Sequence, residues 1–152
     1  MKAINELKRL SFEADVKKYP DIPREWIPSP SYIDKTANGL TRCIIDWIKL
    51  NGGQAERISV TGRIVNGKQT VTDCLGHQRE IGSNKWIPGT MTKGTADISA
   101  TIRGKSVKIE VKIGADRQSE AQKKYQQDIE RAGGVYVIAK DFQHFYELYH
   151  AL

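Results

Sequence analysis

An α/β domain, preceded by an extra helix and a proline-rich connector, is the fold class this sequence predicts. Three observations carry the prediction. Residues 36–50 repeat apolar side chains at helical spacing. Residues 96–113 alternate polar and apolar positions as two consecutive strands. From residue 119 onward a helical segment, a glycine pair, a strand and another helical segment follow in turn.

The composition agrees with a folded domain. With 152 residues, 39% of them apolar and 28% charged, the chain predicts a soluble globular protein rather than a disordered one. No apolar run approaches the roughly 20 residues that span a bilayer, and the mixed charges of "MKAINELKRLSFEADVKKYP" speak against a signal peptide. Cys43, inside "CIIDWI", reads as a small packed hydrophobe. Cys74 and His77 have Cys-x-x-His spacing, but no second pair is present to close a tetrahedral zinc site. A reduced, intracellular (cytoplasmic) protein is therefore expected. The net charge of +6 comes with a pI near 9.3. Its excess lies between Thr36 and Lys93, which favours a polyanionic partner.

The elements follow in order. Residues 1 to about 18 predict an amphipathic helix with Ile4, Leu7, Leu10 and Ala14 on one side. "YPDIPREWIPSPSY" carries four prolines and predicts an extended connector, with Trp26 and Ile27 pinning it to the body. A helix over 36–50 buries Leu40, Cys43, Ile44, Trp47 and Ile48, and "NGG" ends it. "RISVTGRIV" predicts a strand, Asn66-Gly67 a tight hairpin turn, and "KQTVTDCL" the returning strand. The glycine-rich stretch 76–94 predicts a functional loop. Two domains are read: 1–35, the helix and connector, and 36–152, the main fold.

The strands over 96–102 and 106–113 are joined by "RGK". If Arg103-Gly104 is the two-residue loop, Ile98 faces Ile109, Ser99 faces Lys108, and Asp97 falls across from Glu110. One face then carries only aliphatics, and the other carries Asp97, Ser99, Lys108, Glu110 and Lys112. A one-residue slip would scramble both faces. Carboxylates about 5 Å apart repel by roughly 3 kcal/mol at an effective dielectric of 20. A hard divalent cation reverses that sign, and Lys112 on the same face suits the orientation of a water. The competing expectation is a solvated face on which Lys108 and Lys112 bridge diagonally to the acids.

"KGTAD" ending at Asp97, followed by "IEVK" from Ile109 to Lys112, resembles the Asp…Glu-X-Lys signature of the PD-(D/E)XK nucleases. "SEAQKKYQQDIERAGGVYVI" and "RISVTG" are similar to segments of the VRR-NUC branch, where a Gln-bearing helix leads through a glycine pair into a strand. The resemblance covers roughly residues 36–150. It implies a restriction-endonuclease-like core, with a mixed β-sheet flanked by α-helices, and cleavage of DNA phosphodiester bonds with Mg²⁺ or Mn²⁺. Asp97 and Glu110 would ligate the metal with the Val111 carbonyl, and Lys112 would position the water. Branched DNA, including Holliday junctions, and homodimers are associated with stand-alone members. Gln122 has two readings: beside the metal by resemblance, or in a capping box with Ser119.

One departure stands out. The family usually carries a Glu early in the first core helix, and "KTANGLTRCIID" has none. Asn38 is nearest as a neutral oxygen donor, and Asp46 follows about two turns later. Arg57, Arg63, Lys85, Trp86 and Lys93 are the candidate DNA contacts, with Trp86 alternatively packing its segment to the body. The alternatives to a nuclease are a catalytically impaired DNA-binding module that keeps the fold, and a protein adaptor whose basic surface is incidental.

Overall fold

The computed structural model describes residues 2–59, 62–87, 89 and 92–152. The chain divides into two units, residues 1–58 with 93–152, and residues 59–92.

The larger unit is mixed α/β. Helix α1 (Lys2–Lys18) leads into the connector, whose only regular piece is a single turn at Arg24–Trp26. Ile27 is buried, but Trp26 is 75% exposed and does not pin the connector as expected. Tyr32 takes that role: its ring is buried, and its hydroxyl lies 3.1 Å from Ser11 Oγ and donates to Asp46 Oδ2 at 2.9 Å. A large side chain with a polar tip that finds partners anchors a connector better than one left facing water.

Helix α2 (Ala37–Leu50) starts where Thr36 Oγ1 accepts the Gly39 amide hydrogen. Its predicted face is the observed one, with Leu40, Cys43, Ile44, Trp47 and Ile48 all buried. Strand β1 (Gln54–Arg57) follows. The sheet continues with β6 (Ile98–Ile102), β7 (Lys105–Val111) and β8 (Val135–Ala139), in spatial order β1-β6-β7-β8. The first two pairings are antiparallel and β7–β8 is parallel, so the sheet is mixed. The crossover from β7 to β8 runs through α3 (Glu120–Arg131), and α4 (Phe142–Ala151) ends the fold.

The β6–β7 hairpin has the register its turn chemistry predicts, with Ile98 opposite Ile109, Ser99 opposite Lys108, and Ile102 opposite Lys105. Arg103 and Gly104 both have positive φ, at 50° and 81°, as a two-residue turn of this hand requires. Ile98, Ala100, Ile102, Val107, Ile109 and Val111 line the buried face, against the side chains of α1, α2 and α4. In the parallel register Val137 and Ala139 join that face, while Tyr136 sits beside Lys108 on the other.

Residues 62–87 depart from the expected hairpin. Strand β2 (Arg63–Val65) pairs with β5 (Lys85–Ile87), and β3 (Gln69–Thr72) pairs with β4 (Gln78–Ile81), all antiparallel. Neither Asn66 nor Gly67 adopts the positive φ that a two-residue turn demands. The reversal occurs instead at Asp73–His77. There Asp73 Oδ1 accepts the amide hydrogens of Leu75 and His77, each at 2.9 Å, and Gly76 takes φ 85°. Partner numbers add to the same total in both pairings, so the two pairs follow one another along a ribbon whose ladder is interrupted at 66–68 and 82–84, where Asn66 Oδ1 accepts the Lys68 amide hydrogen and Gly82 takes φ 105°. The stretch expected as a loop thus contributes two strands. The remainder of the single strand expected over 57–65 includes Val60 and Thr61, which lie outside the described residues, as do Pro88, Thr90 and Met91 of the glycine-rich stretch.

Among the described residues, no helix is long and apolar enough to cross a membrane.

Candidate active site

Asp97 stands at the mouth of β6, one residue before the ladder with β7 begins. Its backbone carbonyl accepts the Ile58 amide hydrogen at 2.8 Å, and its Oδ2 accepts the Val111 amide hydrogen at 2.9 Å. The carboxylate therefore replaces a main-chain acceptor at the edge of the hairpin. This fixes it in the position across from Glu110 that the register predicts.

Glu110 is only 2% exposed and Lys112 8%. A solvated face bearing weak diagonal bridges does not describe such a pair. Lys112 Nζ lies 3.0 Å from Glu110 Oε1 and 3.4 Å from Asp116 Oδ2. The other expected bridge, from Lys108 to Asp97, is replaced by a bond from Lys108 Nζ to Ser99 Oγ at 2.5 Å. A shorter reach across the strand pair wins.

Helix α3 covers the acid. Gln122 Nε2 donates to Glu110 Oε1 at 2.5 Å, while Gln122 Oε1 accepts the Ser119 amide hydrogen at 2.9 Å. The Ser119 hydroxyl in turn accepts the Gln122 amide hydrogen, which completes the capping box. The capping-box reading holds, and the other end of the same side-chain amide reaches Glu110, because an amide has two ends. Tyr125 meets Tyr136 edge-on, with ring centroids 6.4 Å apart, on the same side of the helix.

Burial, then the like charge of Asp97, pushes the Glu110 carboxyl above the ordinary carboxylate range, and the Lys112 hydrogen bond only partly offsets this. Burial alone would lower Lys112, but its bonds and charge attraction to Glu110 and Asp116 outweigh it and hold the ammonium above its usual value. Burial, with the Glu110 charge next, raises the Tyr136 hydroxyl strongly.

Two participants went unread in the sequence. Tyr136 donates to Glu110 Oε2 at 3.4 Å, and Asp116 takes the second side of the Lys112 ammonium. Tyr136 is placed by the parallel β7–β8 pairing, which no local pattern announces. Asp116 lies four residues after Lys112 in the turn that follows β7, a spacing that was available as a signal.

Gly94, in the "KGTAD" lead-in, has φ 81°, and a Cβ there would collide with the Ala121 carbonyl in the first turn of α3. This close approach seats the helix end that carries Gln122. Gly94→Ala is expected to cost about 1–3 kcal/mol, from the strained φ and the collision together, and to displace Gln122 from Glu110. Thermal unfolding and the Gln122 side-chain amide NMR shift check this. An unchanged melting temperature and an unchanged shift would count against it.

The remaining candidates are spread out. Asn38 is exposed near the start of α2, and among the described residues no hydrogen bond or ion pair connects it to Glu110 or Asp97. Asp46 is engaged by Tyr32 and by Arg42, whose Nε lies 3.6 Å away. Arg57 and Lys93 are exposed in the larger unit, and Arg63, Lys85 and Trp86 are exposed in the ribbon. Trp86 lies against Gly62 of its own unit and is 59% exposed. Lys85 and Trp86, being adjacent on a strand, point to opposite faces.

Among the described residues, no three His, Cys, Asp or Glu side chains converge. The donors present are the Asp97 and Glu110 carboxylates, with Glu110 Oε1 bonded to Gln122 and Lys112 and Asp97 Oδ2 to the Val111 amide. This set fits a hard divalent ion such as Mg²⁺, which keeps several waters and takes one or two protein carboxylates. The Lys112 ammonium on Glu110 Oε1 supplies positive charge at the same place. Compared with protein-family models and with curated proteins, the chain matches none.

Proposed function

We propose that this chain is a metal-dependent DNA endonuclease of the VRR-NUC kind, with a restriction-endonuclease-like core, that hydrolyses phosphodiester bonds and prefers branched DNA such as Holliday junctions. The observation that carries the reading is Glu110: a buried carboxylate beside a second carboxylate, held by an ammonium and a primary amide. Acids perturbed by burial and a specific charge partner gather at working sites, which favours this reading over a purely structural sheet. The order of the Gln-bearing helix, the Gly133-Gly134 pair and β8 supports the same reading.

In this reading Asp97 and Glu110 hold Mg²⁺ or Mn²⁺ with the Val111 carbonyl, and Asn38 is the candidate neutral donor. A bound ion of this kind polarises a phosphoryl oxygen and lowers the pKa of bound water. Gln122 orients the Glu110 carboxylate from one oxygen and Tyr136 from the other. Lys112 orients the attacking water and stabilises negative charge that develops on the phosphoryl oxygens. Asp116 keeps its ammonium charged and aligned. Arg57, Lys93, Arg63 and Lys85 contact the DNA, Trp86 lies on the opposite face of its strand from Lys85 and is given no contact, and a homodimer would present two such sites to a junction.

The test is a panel of single-stranded, duplex, flapped and four-way DNA incubated with Mg²⁺, with Mn²⁺ or with EDTA. Cleavage with either ion, suppressed by EDTA and strongest on the four-way substrate, is expected. No cleavage of any substrate with either ion would refute the nuclease reading.

A second reading, a DNA-binding module that retains the fold, is favoured by the exposed position of Asn38 and by the absence of an acid early in α2. It predicts salt-dependent DNA binding with no Mn²⁺ heat by calorimetry. Mn²⁺ binding that requires Asp97 would exclude it.

A further inference from the structure

We propose that one face of the ribbon over residues 63–87 docks into the major groove of duplex DNA, through Arg63, Arg79 and Lys85 and the aliphatic residues that alternate with them. The inference rests on the DNA reading above and names the element and the groove.

The register carries the argument. Within each strand pair, residues of odd number lie on one face and those of even number on the other, and the proposed docking face joins the odd faces of the two pairs across the interruption at 66–68 and 82–84. On the odd face each cation stands opposite an aliphatic: Arg63 with Ile87, Lys85 with Val65, and Arg79 with Val71. Every residue from 63 to 87 is exposed except Asp73. Exposed aliphatics interleaved with cations on a two-sided ribbon have no function in a core.

The acids do not cancel this charge. Glu80 is on the even face, 3.2 Å from Lys68. Asp73 is used by its own turn at the tip, where it holds the amides of Leu75 and His77 and lies 3.9 Å from Arg79. Arg63 and Lys85 have no acid on their face of the ribbon other than this one.

The dimensions and chemistry fit duplex DNA. The B-form major groove admits a two-stranded β-ribbon, its base edges accept from Arg and Lys, and thymine methyls offer apolar contacts. From Arg63 to Val71 the row spans at most about 26 Å at ~3.3 Å per residue, less than one turn of the duplex. A second copy of the same face would set cations against cations. Duplex RNA has a major groove too narrow for a ribbon.

The experiment uses the full chain in EDTA, so that no step depends on metal or cleavage. Fluorescence anisotropy with a labelled duplex compares the wild type, the variant R63Q/R79Q/K85Q, and the control K2Q/K17Q/K35Q, which removes the same charge from exposed sites outside the ribbon. All three should melt at the same temperature, since every substituted side chain is exposed. The ribbon variant is expected to bind roughly 10-fold or more weakly, with a shallower log–log salt slope because three cations leave the interface. Methylation of guanine N7, which blocks the major groove, should impair wild-type binding, and duplex RNA should compete poorly. Equal losses in the ribbon variant and the control, or indifference to N7 methylation, would overturn the inference. The two proposals fail separately. A chain that binds through the ribbon but never cuts DNA retains this one, and a chain that cuts while ignoring the three substitutions retains only the other.

Discussion

Lys112→Gln is expected to destabilise the fold by about 3 kcal/mol at pH 7, because it leaves a buried carboxylate without its counter-charge. For a chain of this length that is roughly a 6–12 °C fall in melting temperature. The sign of the pH dependence follows from Glu110. Its folded pKa is already above 4.5, so its contribution to stability is complete below 4.5 and is lost as pH rises through the folded value. Without Lys112, which pulls that value down, the carboxyl rises further. The deficit of the variant should therefore be small below 4.5, where Glu110 is protonated in both proteins, and should grow towards neutrality. Cleavage should fall by on the order of 10²–10³-fold as charge stabilisation at the phosphoryl group is lost. Thermal unfolding from pH 4 to 8 checks the linkage, and a deficit constant across that range would contradict it.

The second large effect concerns the core. Trp47 is 1% exposed and packs on four rings, Phe142, Tyr146, Tyr149 and His150, with centroids 5.0–6.2 Å away. Trp47→Ala is expected to cost about 3–5 kcal/mol through lost transfer energy and the cavity left behind, on the order of a 10 °C drop. Trp47→Phe should cost clearly less, since among the described residues the indole Nε1 has no hydrogen-bond partner to lose and a ring still fills much of the space. Denaturant unfolding of the two variants measures both. Equal losses would mean that a polar contact of the indole, rather than ring packing, holds α4 to α2.

What the sequence disclosed was local and reinforced from two sides. The β6–β7 hairpin was legible because "RGK" and the two-residue alternation demand the same register, and that register puts Asp97 across from Glu110. The buried face of α2 was legible from spacing alone. The Asn66-Gly67 signal misled because a stronger competitor lay downstream: the Asp73 carboxylate captures two amides and sets the reversal there. Trp26 misleads because size does not ensure burial, whereas Tyr32 has the hydroxyl partners that fix a connector. Tyr136 was out of reach, since its place beside Glu110 depends on β8 lying parallel to β7 after the α3 crossover. Only a non-local fact could have revealed it.

Supercoiled plasmid cleavage by wild type and Asp97→Asn, run side by side with Mn²⁺ and again with EDTA, tests the central claim most directly. The Asn side chain keeps an oxygen for the Val111 amide, so the hairpin is preserved while the second carboxylate charge is removed. The account predicts metal-dependent nicking by wild type, loss of nicking in the variant, and a fall in the Glu110 pKa as its like-charged neighbour disappears. Identical products from the two proteins would contradict it.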